Sequence, residues 1–268
     1  MLRRTLTAVL LLAIALPAAY FGGTALFVLL LVFINLATFE YAQMFNLRGY
    51  QPSATITLAS VTLLLAARAF RPDLAPLALS LTILACMTFH LVKYESGRDL
   101  AAVDLVISLG AVGYLGWIGA YLFDLRQLDN GGWWLLLVFA IVWFSDSAAY
   151  FVGSRFGRHK IAPRLSPKKS WEGYIAGVVG GTAFGAILAV LLNRWGPFDL
   201  TLSQGIALGA ALSTLTTLGD LGESLFKRFA GVKDSGNLLP GHGGAFDRID
   251  SLIWAGVLGY YWIRYFII

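Results

Sequence analysis

Apolar residues run through this chain in blocks of about 20, separated by short polar or glycine-bearing stretches. The blocks are continuous and do not alternate, so they predict helices and argue against a membrane β-barrel. A block of that length is what one helix needs to cross hydrocarbon. Nine of them are read, at roughly 5–21, 23–39, 54–70, 74–92, 101–123, 132–152, 173–193, 201–222 and 249–268. The pattern therefore predicts an all-α, polytopic integral membrane protein, one bundle of about nine transmembrane helices in a single membrane-embedded domain over 1–268. The first block ends in ALPAAYFGG, which resembles a signal-peptide cleavage region. The next apolar block follows at once, as in a transmembrane hairpin, and the segment is kept as a span.

Composition supports the same class. Hydrophobic residues make up 58% and charged residues 13%, with mean hydropathy +0.72, whereas soluble domains carry about a quarter of their residues as charges. A lone cysteine, Cys86, rules out a disulfide framework and a cysteine-based metal site. The net charge of +5 is informative through its distribution. If the N-terminus and the loops after even-numbered spans share one side, that side receives 15 of the 20 basic residues. The other side keeps Arg68, Arg71, Arg126, Arg194 and Arg264. Basic residues stay cytoplasmic in short loops. The N-terminus and both long polar loops are thus expected in the cytoplasm, the C-terminus on the opposite side, and the protein in the cell (inner) membrane. No nucleic-acid partner is expected.

Two glycine series mark close helix packing. Gly173, Gly177, Gly181 and Gly185 recur every four residues, and Gly110, Gly113, Gly116 and Gly119 every three. Small faces let helices approach where lipid supplies no hydrophobic drive between them. Packing within one bundle is the simpler reading, and a homodimer interface is the alternative.

The chemistry is concentrated in two polar stretches. Ser213, Thr217, Asp220, Ser224 and Lys227 are spaced to draw one polar stripe on the eighth span. A charge at membrane depth costs several kcal/mol unless it faces a cavity or a partner. An Asp220–Lys227 salt bridge would have to bridge about 10 Å of helical rise. Next come Lys233, Asp234 and LLPGHGG, whose glycines permit close backbone approach to a ligand. Gly243 and Gly244 stand just before the ninth span, where a helix N-terminus favours anions. Asp247 and Asp250 are i and i+3 in its first turn, and helix capping alone is the rival reading for Asp250. Carboxylates beside triphosphate oxygens are usual ligands of Mg2+. The second stretch holds Asp146 and then Arg155, Arg158, Lys160, Arg164, Lys168 and Lys169 before SWEG. Lys168, Lys169 and Ser170 stand at a helix start, where a phosphate would meet lysines and free amides together. For Arg155 and Arg158 the rival reading is a topology signal or an anchor to acidic lipid headgroups. No P-loop, HExxH, dinucleotide-binding or nucleophile-elbow run is present.

The ordered run Ser224-x-Phe226-Lys227-Arg228, Lys233-Asp234, Gly236, Leu239-Pro240, His242-Gly243-Gly244 and Asp247-Arg248-Ile249-Asp250 resembles the signature of phosphatidate cytidylyltransferases, or CDP-diacylglycerol synthases. Asp146 with Ala149-Tyr150, Ser166-Pro167-Lys168-Lys169-Ser170-Trp171-Glu172-Gly173, and Gly219-Asp220 resemble further blocks of that family. The resemblance covers roughly 143–251, read as the catalytic portion, with the first five spans as scaffold. Ala245 departs from it, since a larger aliphatic is more usual there.

The resemblance implies transfer of the cytidylyl group of CTP to phosphatidic acid, giving CDP-diacylglycerol and pyrophosphate in phospholipid biosynthesis. It implies dependence on Mg2+, with room for a second cation, and the lipid bilayer as partner. Asp220, Lys227 and Asp247 would be catalytic, and Asp220, Asp247 and Asp250 would bind metal. Substrate would be held by Lys160, Lys168, Lys169, Ser170, Ser224, Arg228, Lys233, His242, Gly243, Gly244 and Arg248. Asp146 would contact nucleotide or metal. The rivals are a cytidylyltransferase for another lipid phosphate and, from another class, a transporter. A transporter should spread its polar residues over several spans and both faces, and here they gather on one.

Overall fold

A chain this apolar has to satisfy its backbone internally, which in lipid means helix. In the computed structural model, residues 13–236 and 243–268 are described, and helix dominates them. His242, the preceding Leu239–Gly241, and the first residues of the first span with Arg3 and Arg4 lie outside the described residues. After a helical run over 13–21 come α1 (Gly23–Asn46), α2 (Ala54–Phe70), a 3-10 turn (Pro72–Leu74) leading into α3 (Ala75–Glu95), and α4 (Ala101–Ala111). A π-helical segment (Val112–Ile118) and α5 (Tyr121–Gln127) continue from α4, followed by α6 (Gly131–Phe156). A hairpin of β1 (Lys160–Ala162) and β2 (Ser166–Ser170) precedes α7 (Trp171–Trp195), α8 (Leu202–Leu215), α9 (Thr217–Ala230) and α10 (Phe246–Phe266).

Five of the described helices are long and apolar enough to cross a membrane: Gly23–Asn46, Pro72–Glu95, Ala101–Gln127, Gly131–Phe156 and Trp171–Trp195, with α2 a shorter apolar helix. The protein is therefore an all-α membrane-type fold. Two departures from the expected pattern bear on the polar stretches. The block at 201–222 is not one helix but α8 and α9, with a break at Thr216, whose hydroxyl donates to the Leu212 carbonyl (2.8 Å). Local bonds of that kind bend helices. Ser213 consequently stays on α8, and the stripe that continues on α9 is Thr217, Asp220, Ser224 and Lys227. The basic loop 160–170 is a small antiparallel sheet, pairing Lys160 with Ser170 and Ala162 with Ser166. Its SPKKS strand has no period-2 apolar signal to announce it.

The chain divides into Met1–Asp124 with Phe226–Ile249, and Leu125–Leu225 with Asp250–Ile268. In the first unit Leu64, Ala67, Ala75, Ala78, Cys86 and Val112 form a buried cluster. Two glycines of the three-residue series pack inside this unit: a methyl at Gly110 would meet the Tyr41 hydroxyl at 3.0 Å, and one at Gly116 would meet Leu64 Cδ1 at 3.1 Å, whereas one at Gly113 would meet nothing within 4 Å. Arg68 forms an ion pair with Asp124 and lies 4.5 Å from the ring centres of both Trp117 and Tyr121.

In the second unit α7 lies against α6 and α8 along its glycine face. A methyl at Gly173 would sit 2.9 Å from the Gly153 Cα, one at Gly177 3.1 Å from the Ser145 carbonyl, and one at Gly185 2.5 Å from the Gly205 carbonyl. That face is used within the chain, which is the packing reading of the series. Gly185→Ala is expected to lower stability by about 1–3 kcal/mol, because the obstacle is backbone and a helix must move. Thermal unfolding in detergent measures this, and a melting temperature at or above wild type would show that α7 shifts freely.

Candidate active site

Three carboxylates converge in the second unit. Asp220 and Glu223, one turn apart on α9, and Asp250 on α10 each offer an oxygen, all within 4.8 Å of one another. Glu223 is fully buried and Asp250 nearly so, while Asp220 is partly open. Gly219 makes the approach possible, since a methyl there would sit 2.5 Å from the Asp250 carbonyl and 2.8 Å from Trp254 Cδ1. Hard oxygen donors in a group of three suit a small divalent cation such as Mg2+, which takes few protein ligands and keeps waters. By the chemistry of its donors, this group fits the metal that the resemblance implies.

The hairpin brings a cation to the same carboxylates. Lys169 Nζ lies 2.9 Å from Asp220 Oδ2, and the Ser224 hydroxyl donates to Asp220 Oδ1 at 3.4 Å. Successive strand residues point to opposite faces, so Lys168, beside Lys169, is turned outward and exposed, as is Lys160 on β1. Ser170 caps α7 by accepting from the Gly173 amide (3.3 Å), a preferred N-cap role. Asp146, on α6, feels the charges of both Lys169 and Asp220. His159 bonds Glu172 (2.6 Å), whose carboxylate also accepts from the amides of Arg158 and His159, fixing the hairpin to the start of α7.

The first unit holds a second polar group. Lys227 Nζ donates to Asp247 Oδ1 at 2.7 Å, with both side chains about nine-tenths buried. Asp247 Oδ2 also accepts from the Gly244 amide (2.8 Å), the Ser235 amide (3.0 Å) and the Ser235 hydroxyl (2.9 Å). Burial by itself would raise the Asp247 carboxyl, but the Lys227 ammonium and these amides outweigh it and bring it down to about 2. Asp247 is therefore anionic near neutral pH. Gly243 takes a left-handed backbone (φ +80°), and a methyl there would press on Asp247 Oδ2. Arg228, Lys233 and Arg248 are exposed.

Of the carboxylates that the sequence singles out, Asp220 and Asp250 lie in one group whose third member is Glu223, and Asp247 is bonded to Lys227. Glu223 had a readable signal, being i+3 from Asp220 on the same helix face. A second residue that sequence reasoning missed is Glu40, near the C-terminal end of α1. It is 3% exposed, and its carboxylate accepts from the Ser235 hydroxyl and the amides of Ala245 and Phe246, each at 2.9 Å. A lone glutamate beyond an apolar block gives no hint of such partners.

Comparison with known proteins gives the following matches. The cytidylyltransferase family model matches residues 2–266. A phosphatidate cytidylyltransferase of Synechocystis sp. is 33% identical over 288 residues, covering 97% of this chain and 96% of its own. One from Pseudomonas aeruginosa is 39% identical, covering 93% and 92%. One from Haemophilus influenzae is 48% identical over a shorter stretch, 46% of this chain and 43% of its own.

Proposed function

The chain belongs to the cytidylyltransferase family, and we propose that it transfers the cytidylyl group of CTP to phosphatidic acid, releasing pyrophosphate. The observation that carries this reading is the convergence of Asp220, Glu223 and Asp250 within 4.8 Å, beside Lys169. These residues lie within a chain that matches the family from end to end.

In the reaction an oxygen of the phosphatidate phosphate forms a bond to the α-phosphorus of CTP. The bond from that phosphorus to the oxygen bridging to the β-phosphate breaks, and pyrophosphate leaves with the electron pair. The attacking phosphate is anionic near neutral pH, so no general base has to remove a proton. Catalysis then depends on positioning and on neutralising charge. Asp220, Glu223 and Asp250 would hold Mg2+. Bound there, it would supply positive charge to the phosphate oxygens and make the α-phosphorus more electrophilic. Lys169 and Lys227 would neutralise phosphate oxygens, with Ser224 orienting Asp220. Asp247 holds the Lys227 ammonium in place and, as a second carboxylate on α10, is the candidate for a further cation. Arg228, Lys233 and Arg248, exposed around the second group, suit outer phosphate contacts, and Lys160 and Lys168 suit headgroup or phosphate contacts at the hairpin.

Purified protein in detergent, given CTP, Mg2+ and phosphatidic acid, is expected to release pyrophosphate only when the lipid is present. Absence of lipid-dependent release from folded protein would overturn the reading, and turnover with a different lipid phosphate would redirect it.

The topology that fits the basic residues has nine crossings of the cell membrane, with the N-terminus and the two polar stretches cytoplasmic. A C-terminal tag is then expected to be labelled only from outside the cytoplasmic membrane, and labelling from the cytoplasm would refute an odd number of spans.

A further inference from the structure

We propose that Glu40, in the N-terminal scaffold, is a positioning residue for catalysis, setting the Lys227–Asp247 pair through the hydroxyl of Ser235. The inference rests on the cytidylyltransferase reading above and adds to it a residue from α1, far outside the 143–251 signature region.

The geometry is a relay inside one unit. Glu40 Oε1 accepts from the Ala245 amide, and Oε2 accepts from the Phe246 amide and the Ser235 hydroxyl. Glu40 therefore holds the chain at Ser235 and again at the start of α10, fixing the backbone on either side of the glycine-rich stretch. The same Ser235 hydroxyl lies 2.9 Å from Asp247 Oδ2. A hydroxyl carries one proton, and here two carboxylates compete for it. The negative charge of Glu40 is thereby felt at Asp247, whose other oxygen holds Lys227.

The neighbourhood is shaped for this carboxylate. A methyl at Gly236 would lie 2.5 Å from Glu40 Oε1, and one at Gly244 would press on both the Ser235 hydroxyl and the Glu40 carboxylate. Glycine at both positions lets the backbone close around a charge, where any side chain would push it away. Burying a carboxylate is costly unless it is fully hydrogen-bonded. A hydrophobic residue here would fill α1 more cheaply, so packing alone does not account for a glutamate.

Glu40→Gln distinguishes charge from shape. A carboxamide has one acceptor oxygen, so in either orientation its NH2 group faces the amide donor of Ala245 or of Phe246. Ser235→Ala leaves the two amide bonds of Glu40 in place and removes only the link to Asp247. Both variants are assayed for lipid-dependent pyrophosphate release well below their melting temperatures, per folded molecule, beside wild type. Glu40→Gln is expected to lower kcat by about ten-fold or more, with a smaller change in the KM for CTP. Ser235→Ala is expected to lower kcat several-fold, and the double variant to be no slower than Glu40→Gln alone, since both cut one relay.

Wild-type kcat in Glu40→Gln would overturn the proposal, as would strictly additive losses. If Glu40→Gln does not fold, Glu40→Asp, which keeps the charge and shortens the reach, takes its place in the same cycle under the same two criteria. Inactive wild type would instead defeat the functional reading itself, so the two failures are separable.

Discussion

Asp220→Asn is expected to slow cytidylyl transfer by a factor on the order of a thousand, the cost of losing one well-placed electrostatic group from a reacting centre. Asparagine keeps the shape but removes a negative charge from the group formed with Glu223 and Asp250. Lys169 would at the same time lose its ion-pair partner. That pair is partly exposed, and exposed pairs contribute little to stability, so the variant is expected to melt close to wild type. The combination is the useful signature: intact fold, lost turnover. It is read by pyrophosphate release and by thermal unfolding in the same detergent. Turnover within ten-fold of wild type would remove Asp220 from the reacting centre. Glu223→Gln is expected to lose turnover similarly, because the fully buried Glu223 completes the same group.

Lys227→Met should be damaging in a different way. Lys227 and Asp247 form an ion pair with both side chains about nine-tenths buried. Removing one partner of such a pair leaves the other charged and uncompensated, which costs about 3–5 kcal/mol. Lys227→Met is therefore expected both to melt markedly earlier and to lose turnover. Adding Asp247→Asn removes the stranded charge, and well-packed neutral replacements of buried pairs are often tolerated. The double variant should then recover most of the melting temperature and none of the activity. Recovery of activity along with stability would show that the pair only supports the fold.

Much of this was legible in the chain. Blocks of about 20 apolar residues announce membrane helices because that length matches hydrocarbon thickness. The i, i+3 and i, i+4 spacings among Asp220, Ser224 and Lys227 survive in α9, and Asp247 and Asp250 do share the first turns of α10, because helical periodicity is local. The glycine face at 173–185 is a packing face, as its spacing implied, and Gly110 and Gly116 pack likewise; the signature residues of 143–251 led to the family that the whole chain matches.

The remainder depended on contacts through space. The break at Thr216 separates Ser213 from the stripe, and nothing in the apolar run around it marks a stop. The partner of Asp220 and Asp250 is Glu223, and the partner of Asp247 is Lys227, although periodicity placed all of these on two helices without saying which would meet. β2 turns Lys169 toward Asp220 and Lys168 away, a choice of strand register that a loop reading cannot make. Glu40 is the clearest case, since it bonds Ser235 across 195 positions of sequence. Sequence spacing determines which residues share a face and which faces are apolar. Which carboxylate receives which donor is decided only when separate helices pack, because a hydrogen bond requires a few ångströms in space and is indifferent to distance along the chain.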